Sequence, residues 1–401
     1  MDSAPANHVP QDLAPMRGLD LGAPPPTPRG RGRGRGRPTI EAFLSYSREF
    51  FDSHQFTNAG PLSRALERRL AEFHGVANCV TFASDFWALV VAIKAMALPG
   101  RGEVVMPALT PRRLADPVAW AGLTPRFCEV DPETLAISPA TAEPGLSENS
   151  ALLLAVHPML GCCDAAGLEG LAEAYGVPLL IDARDSCSRT YLGRKVGSFG
   201  GGEVFSLHAD KVTNGFEGGY LTTNDEDLAR RVYLMRGFGF NGPDNVEHLG
   251  LNAKLNEIHA AMALTSIDEF DDRIRANRRL YDHYRRGLRV IRGVRLLERD
   301  DPVSSCCDHI VVELTEQWRP SLTETIAFLN AGGAAARQYP QLQYKGTSRP
   351  TLPGRLPLSE ALSERLIILP CGPSVDDVGI DTILARLGLL APAKVEAAVG
   401  A

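Results

Sequence analysis

Between residues 78 and 223, short apolar runs alternate with longer stretches of helical spacing. Asn78–Phe82, Glu103–Met106, Pro125–Glu129, Ala151–Val156, Pro178–Asp182, Val204–Leu207 and Gly219–Thr223 read as strands. Phe86–Leu98, Arg113–Ala121 and Gly167–Tyr175 read as helices between them. Apolar strands alternating with helices predict an α/β unit whose mostly parallel sheet is covered on both faces. Ahead of it, residues 39–75 read as helical: Leu62, Leu66, Leu70 and Phe73 share one face of Pro61–His74, and Gly75 fits a C-cap. After Leu255 the period becomes helical throughout Asn256–Gly287, with dense charge between the apolar positions, which predicts one long helix bridging two domains. Strands at His309–Leu314 and Ile367–Leu369, with helices at Ser321–Ala331 and Asp376–Leu387, predict a smaller α+β domain. The expected division is a tail at 1–38, a large domain at 39–255, and the bridging helix with the small domain at 256–395.

Composition narrows the class of protein. A chain of 401 residues, 44% apolar and 22% charged, is that of an ordinary globular protein of about two domains. With 42 basic and 48 acidic side chains it is not a generally basic nucleic-acid binder. No apolar run reaches membrane-spanning length, and the N-terminus lacks a signal-peptide pattern. The eight cysteines include the adjacent pairs Cys162-Cys163 and Cys306-Cys307 but no C-x-x-C, so reduced, buried thiols in a cytoplasmic protein are expected. Residues 1–38 carry Pro24-Pro25-Pro26 and an Arg-Gly tract from Arg29 to Arg37, a composition that predicts a solvated, disordered tail. Five arginines on an acidic chain are slight support for a nucleic-acid arm.

The chemistry gathers in Leu179–Asp225. The strand Pro178–Ile181 ends in Asp182, where α/β sheets bind ligands. Lys211 follows in a short loop between two strands, with Ser206 before it and Gly218-Gly219 after it. An amine there can form a Schiff base with pyridoxal phosphate, and Asp182 can keep the pyridine nitrogen protonated so that the ring accepts carbanion electrons. A serine hydroxyl can donate to a phosphate, and glycines admit close backbone approach. Spacing alone leaves the alternatives standing: strand-end aspartates also cap helices or pair with cations, and most lysines are solvated.

Phe205–Asp225 (FSLHADKVTNGFEGGYLTTND) resembles the active-site signature of the DegT/StrS-type aminotransferases, pyridoxal-phosphate enzymes of fold type I that mostly aminate keto sugars. Phe56–Leu62, Gly122–Ile137, Gly250–Leu264 and Leu369–Val375 resemble further segments of that family, in order, over nearly the whole chain after residue 39. The resemblance implies an aspartate-aminotransferase-like large domain with a seven-stranded, mostly parallel sheet, and an obligate homodimer with shared sites. It implies that Lys211 is the Schiff-base lysine and proton carrier, Asp182 the pyridinium partner and Ser206 a phosphate ligand. Asp185 falls beside the cofactor's phenolic oxygen, where Gln or His is common, and Asn252 matches an Asn that reaches the neighbouring subunit's phosphate. The amino donor it implies is glutamate or glutamine. Lysine at 211 argues against the family's dehydratase branch, which carries His there.

Three positions depart from the pattern. The phosphate-cradling Ser-Gly-Thr turn aligns with Ser84-Asp85-Phe86, which puts a carboxylate near an anion site. Pro111, followed by Arg112-Arg113, stands where an aromatic should cover the ring; Phe86 and Trp87 are candidate substitutes. Arg184 replaces a small residue; it either touches substrate or cofactor, or balances Asp182 and Asp185. His208 reads as structural. His157 is a substrate contact or a satisfied core histidine, and Tyr339 a contact at the substrate mouth. An ordinary aminotransferase with a rebuilt cofactor pocket ranks first. A PLP enzyme of altered reaction or non-sugar substrate comes second, and a non-catalytic relative third.

Overall fold

The computed structural model describes residues 38–110, 114–298, 306–339, 342–343 and 356–392. Nearly all of the expected tail, and Pro111, Arg112 and Arg113, lie outside these residues. Helices α1 (Ile40–Ser53) and α2 (Pro61–His74) precede β1 (Asn78–Phe82), α3 (Asp85–Met96), β2 (Glu103–Pro107), α4 (Ala115–Trp120) and β3 (Thr124–Cys128). The short α5 (Pro139–Ala142) leads into β4 (Ser150–Val156), α6 (Ala165–Tyr175) and β5 (Leu179–Asp182). A hairpin of β6 (Thr190–Tyr191) and β7 (Arg194–Lys195) comes before β8 (Gly202–Ser206), β9 (Gly219–Thr223) and α7 (Glu226–Met235). Then follow α8 (Glu257–Asp268), α9 (Phe270–Leu288), β10 (Val294–Leu296), β11 (His309–Leu314), α10 (Leu322–Ala331), β12 (Arg337–Gln338), α11 (Pro357–Ser363), β13 (Leu366–Pro370) and α12 (Asp377–Leu390).

Seven strands form the large sheet in the order β1-β9-β8-β5-β4-β2-β3. Only β9 runs antiparallel to its neighbours, so the expected mostly parallel sheet is present. Every residue of β2, β4, β5, β8 and β9 is buried, as central strands covered on both faces require. Side-chain alternation sorts them. Val156, Leu180 and Val204 pack on the α3 side, whereas Ala155, Ile181 and Phe205 pack on the side of α2, α6 and α8. Pro61 opens α2, and Gly75 closes it at φ 68°, its N–H donating to the Ala71 and Glu72 carbonyls.

The single bridging helix expected over Asn256–Gly287 is two. Glu269, at φ −103° and ψ 9°, breaks it between α8 and α9. The two halves have different neighbours. The α8 helix lies against α1 and α2 and is buried almost all round, and its last residue, Asp268, accepts from Tyr46 and Arg69. The α9 helix turns away to pack on α12 and β10 with one buried face.

The smaller sheet is antiparallel, in the order β10-β11-β13-β12. Ile310, Val312, Ile367 and Leu369 face α9, α10 and α12. Val311, Leu366 and Ile368, with Tyr339, face Leu109, Val130, Met159 and Leu160 of the large unit. That second contact brings the start of β11 against the carboxyl ends of β5 and β8.

Candidate active site

Asp182 is the last residue of β5 and pairs in register with Val204, two residues before Ser206 at the end of β8. By strand alternation both point to the α3 side, and both are buried. Asp182 accepts from the Arg184 N–H at 3.3 Å, and the Ser206 hydroxyl accepts from the His208 N–H at 3.2 Å. The loop after β8 turns back through Lys211 N–H to His208 carbonyl and Gly215 N–H to Leu207 carbonyl bonds, with Phe216 at φ 64°. Arg273 of α9 donates to the Val212 carbonyl, and Ser266 of α8 donates to the Asn214 carbonyl, so both helices brace the lysine loop.

The Lys211 amine is buried. It lies 2.5 Å from Asp185 Oδ1, on the turn that begins at Asp182, and 3.3 Å from Asp210 Oδ2. Burial works against the charged amine, but Asp185 and Asp210 outweigh it and raise the amine above its ordinary value. Burial likewise pushes the Asp185 carboxyl up, and the Lys211 ammonium, with His309 and Arg184, more than offsets this and holds it below the usual carboxylate range. Asp308 and His309, at the start of β11, form a second buried ion pair at 3.1 Å within electrostatic reach of Lys211 and Asp185. The fully buried Tyr339 hydroxyl has no hydrogen-bond partner among the described residues; burial, and after it the Asp185 charge, raises its pKa.

The α3 N-terminus forms the other wall. Ser84 caps it, accepting from the Trp87 N–H at 3.2 Å, and Asp85 is its first residue. Asp85 is paired: Arg184 Nε lies 3.7 Å from Asp85 Oδ2. Arg184 therefore faces the α3 carboxylate. It also pulls on the Asp185 carboxylate at longer range. Gly219 packs so closely on this turn that a Cβ there would sit 2.4 Å from the Asp85 Cα. Phe86 is half-buried, edge-on to Trp87 at 5.3 Å, and Trp87 meets Trp120 at 5.6 Å.

Other expected residues lie elsewhere. His157 is buried among protein partners: Nε2 is 3.2 Å from Glu203 Oε2, and Nδ1 accepts from the Cys163 N–H at 3.1 Å. It falls on the face of Ala155 and Ile181, opposite to Asp182, and fills the core role that the sequence left open. Asn252 is exposed, its carbonyl oxygen accepting from Lys254 at 2.9 Å, away from the lysine loop of its own chain. His208 is half-exposed and pairs with Asp210 and Glu217. Asp210, Asp308 and His309 were not singled out from the sequence. Asp210 lies inside the recognised signature, but the pair at 308–309 reaches the site only through the docking of the small sheet. All eight cysteines are buried and free, and no described helix could cross a membrane.

A buried amine beside strand-end carboxylates, a serine hydroxyl and a capped helix N-terminus with close glycine packing suit an anionic aldehyde with a basic ring nitrogen, and pyridoxal phosphate fits that donor set. The fold and these groups define a pyridoxal-phosphate-dependent aminotransferase of fold type I. The model of the DegT/DnrJ/EryC1/StrS aminotransferase family matches residues 39–388, and the chain belongs to that family. The crystal structure of DesI with its TDP-sugar product is 32% identical with a TM-score of 0.82, covering 88% of this chain and 91% of that one. The dTDP-4-amino-4,6-dideoxy-D-glucose transaminase of Shigella dysenteriae is 27% identical over 75% of this chain and 82% of its own length. The L-glutamine:2-deoxy-scyllo-inosose aminotransferase of Streptomyces fradiae is 34% identical over 56% of this chain, which spans about half (55%) of that enzyme.

Proposed function

We propose that this aminotransferase takes its amino group from glutamate or glutamine. Its acceptor is a ketone on a nucleotide-linked sugar or a related secondary-metabolite intermediate. The observation that carries the reading is the buried Lys211 amine, held against Asp185 on the turn that begins at Asp182, at the carboxyl edge of the sheet. Lys211 would hold the cofactor's aldehyde, Asp182 its ring nitrogen, and Ser206 with the Ser84-capped end of α3 its phosphate. The bound cofactor supplies an electron sink for the bond that breaks at the substrate carbon. Lys211 would be the group that accepts and returns a proton at that carbon, and Asp182 the group that holds the ring nitrogen.

A cavity of about 650 Å³ opens beside Asp210, between the lysine loop and the small sheet, with Arg273, Arg337 and His309 in its walls. It has room for a sugar with part of a linked nucleotide, and its arginines suit phosphate oxygens. The relatives named above act on nucleotide sugars or on a cyclitol, which supports a polyhydroxylated ketone.

The active unit in this reading is a homodimer in the cytoplasm, without a nucleic-acid or membrane partner. Exposed Phe51, Phe56 and Ile258 form an apolar surface that a second copy would cover. In this reading, exposed Asn252 serves the partner's site. Residues 39–255 form the cofactor-binding unit and 256–395 the bridging and small unit.

The test is to load the protein with pyridoxal phosphate, reduce it with borohydride and map the modified peptide. L-glutamate or L-glutamine is then offered, followed by a panel of keto-sugar nucleotides and keto-cyclitols. Label on Lys211, release of the donor's keto acid and amination of a panel member are expected. Failure to label Lys211 overturns the reading. Amination of non-sugar ketones alone overturns its substrate half.

A further inference from the structure

We propose that Asp185 is a positioning residue that makes Lys211 a stronger base and confines its nucleophilic reactivity to more alkaline pH. The proposal rests on the reading of Lys211 as the reactive amine, and deepens it. It stands on three features of the site.

The first is distance and burial. The Lys211 and Asp185 side chains are 4% and 3% exposed, and their charged atoms are 2.5 Å apart. Among the described residues, Lys211 is the one side chain that donates a hydrogen bond to Asp185. An opposite charge at that separation, screened from water, favours the ammonium over the free amine.

The second is the inequality of the two carboxylates. Asp210 is 3.3 Å away, and its side chain is 43% exposed and shared with His208. Water screens that charge, so Asp210 adds to the effect of Asp185 without matching it.

The third is the remaining charge around the amine. Arg184 and Asp182 come from the same turn as Asp185, and Asp308 and His309 from the start of β11; Tyr339 lies beyond β12. Arg184 opposes the ammonium but is itself engaged with Asp85 at 3.7 Å. The charges of His309 and Asp308 offset one another at 3.1 Å. Asp185 is left as the dominant neighbour.

One geometry thus has two effects of opposite sign. A lysine paired with a buried carboxylate takes a proton from carbon more readily, because its ammonium is stabilised. The same pairing removes the lone pair needed to attack a carbonyl, because the N–H bond must first give up its proton while the electron pair stays on nitrogen. The expected behaviour is slow covalent loading at neutral pH and faster loading as pH rises.

Reductive methylation of the cofactor-free protein with formaldehyde and cyanoborohydride, across pH and read by peptide mass, measures the Lys211 amine directly. Exposed lysines in the same digest are internal controls. Asp185→Asn keeps the oxygen acceptor and removes the charge. Its Lys211 midpoint should fall by about one pH unit or more, which is about tenfold faster labelling at a fixed pH below the midpoint. Asp210→Asn, at a half-exposed position where folding is not at stake, should shift the midpoint the same way by less. A midpoint unmoved or raised in Asp185→Asn, or lowered further by Asp210→Asn than by Asp185→Asn, overturns the proposal. Capture of pyridoxal phosphate by the wild type is scored separately, so loss of the aminotransferase reading and loss of this proposal give different results.

Discussion

Two buried polar clusters flank the same strands, one beneath the α2 face of the sheet and one at its carboxyl edge, and they differ in how completely they are satisfied. On the α2 side, the Glu203 carboxylate accepts from the Gly197 and Phe199 N–H groups at 2.6 and 2.8 Å and meets His157 at 3.2 Å. His74 donates from Nδ1 to the Val196 carbonyl at 2.6 Å and accepts at Nε2 from the Tyr220 hydroxyl at 3.0 Å. Those groups fix the 196–199 turn under the sheet. At the carboxyl edge, Lys211 sits among Asp185, Asp210 and Asp308, and the Tyr339 hydroxyl goes unpaired among the described residues. Burial of charge is common to both clusters. Excess carboxylate charge and unfilled hydrogen-bonding capacity are found in the second, and those support the proposal that it is the reactive site.

The comparison breaks most visibly at its two central residues. Lys211→Ala should lower transamination by about 10³-fold or more, since no other described amine faces Asp185. Borohydride should then fix no cofactor at that peptide, while far-ultraviolet circular dichroism stays native. Retained label would place the reactive amine elsewhere.

Glu203→Ala should do the reverse. It leaves two buried N–H groups and His157 without their acceptor, a loss of about 3 kcal/mol or more. Urea unfolding should show an earlier midpoint, with activity per folded molecule within about twofold of wild type at low temperature. A large loss of activity without a loss of stability would move Glu203 into the reactive group.

Much of this division was legible beforehand. The strand runs at 78–82 and 219–223 were placed to the residue, and Asp182 was recognised as a strand-end carboxylate. Strand alternation also carried the signal against His157, which continues the Leu153–Ala155 side and so faces away from Asp182. The break at Glu269 was hidden because α8 is apolar nearly all round, so the helical period runs smoothly across it. Asp308 and His309 were beyond reach for another reason. Only the packing of Val311 and Ile368 against Leu109 and Met159 brings them to Lys211, and local pattern does not encode such long-range docking. The Arg184–Asp85 contact joins two departures from the family pattern that looked independent in one dimension.

The His74 side of the comparison is sharpened by acid. Burial lowers the ring from 6.5 to about 3, with the Val196 bond offsetting part of that shift. The unfolded chain therefore takes up a proton as pH falls through about 6.5, and the folded chain does not until near 3. A depressed folded value means stability is complete above the unfolded value and declines below it, by up to about 1.4 kcal/mol per pH unit. By pH 5 the loss from this residue should be about 2 kcal/mol. His74→Gln should flatten that slope between pH 7 and pH 5 in urea titrations. An unchanged slope would show that another group governs the acid limb.

The smallest expected effect tests whether Arg184 and Asp85 act as one unit. Their ion pair at 3.7 Å is partly exposed, with side chains 24% and 15% accessible, so breaking it should change stability by less than about 1 kcal/mol. Cofactor retention is the sensitive readout. Arg184→Gln leaves the Asp85 carboxylate uncompensated at the end of α3, where an anion is to bind, and pyridoxal phosphate affinity should fall about threefold. Asp85→Asn removes the repulsion and should raise affinity by a similar factor. The double variant should return close to wild type, because the net charge at the α3 end is restored. Equilibrium dialysis across the four proteins decides it. If Asp85→Asn instead loses cofactor, the carboxylate orients the guanidinium toward the phosphate, and the pair belongs to the binding machinery.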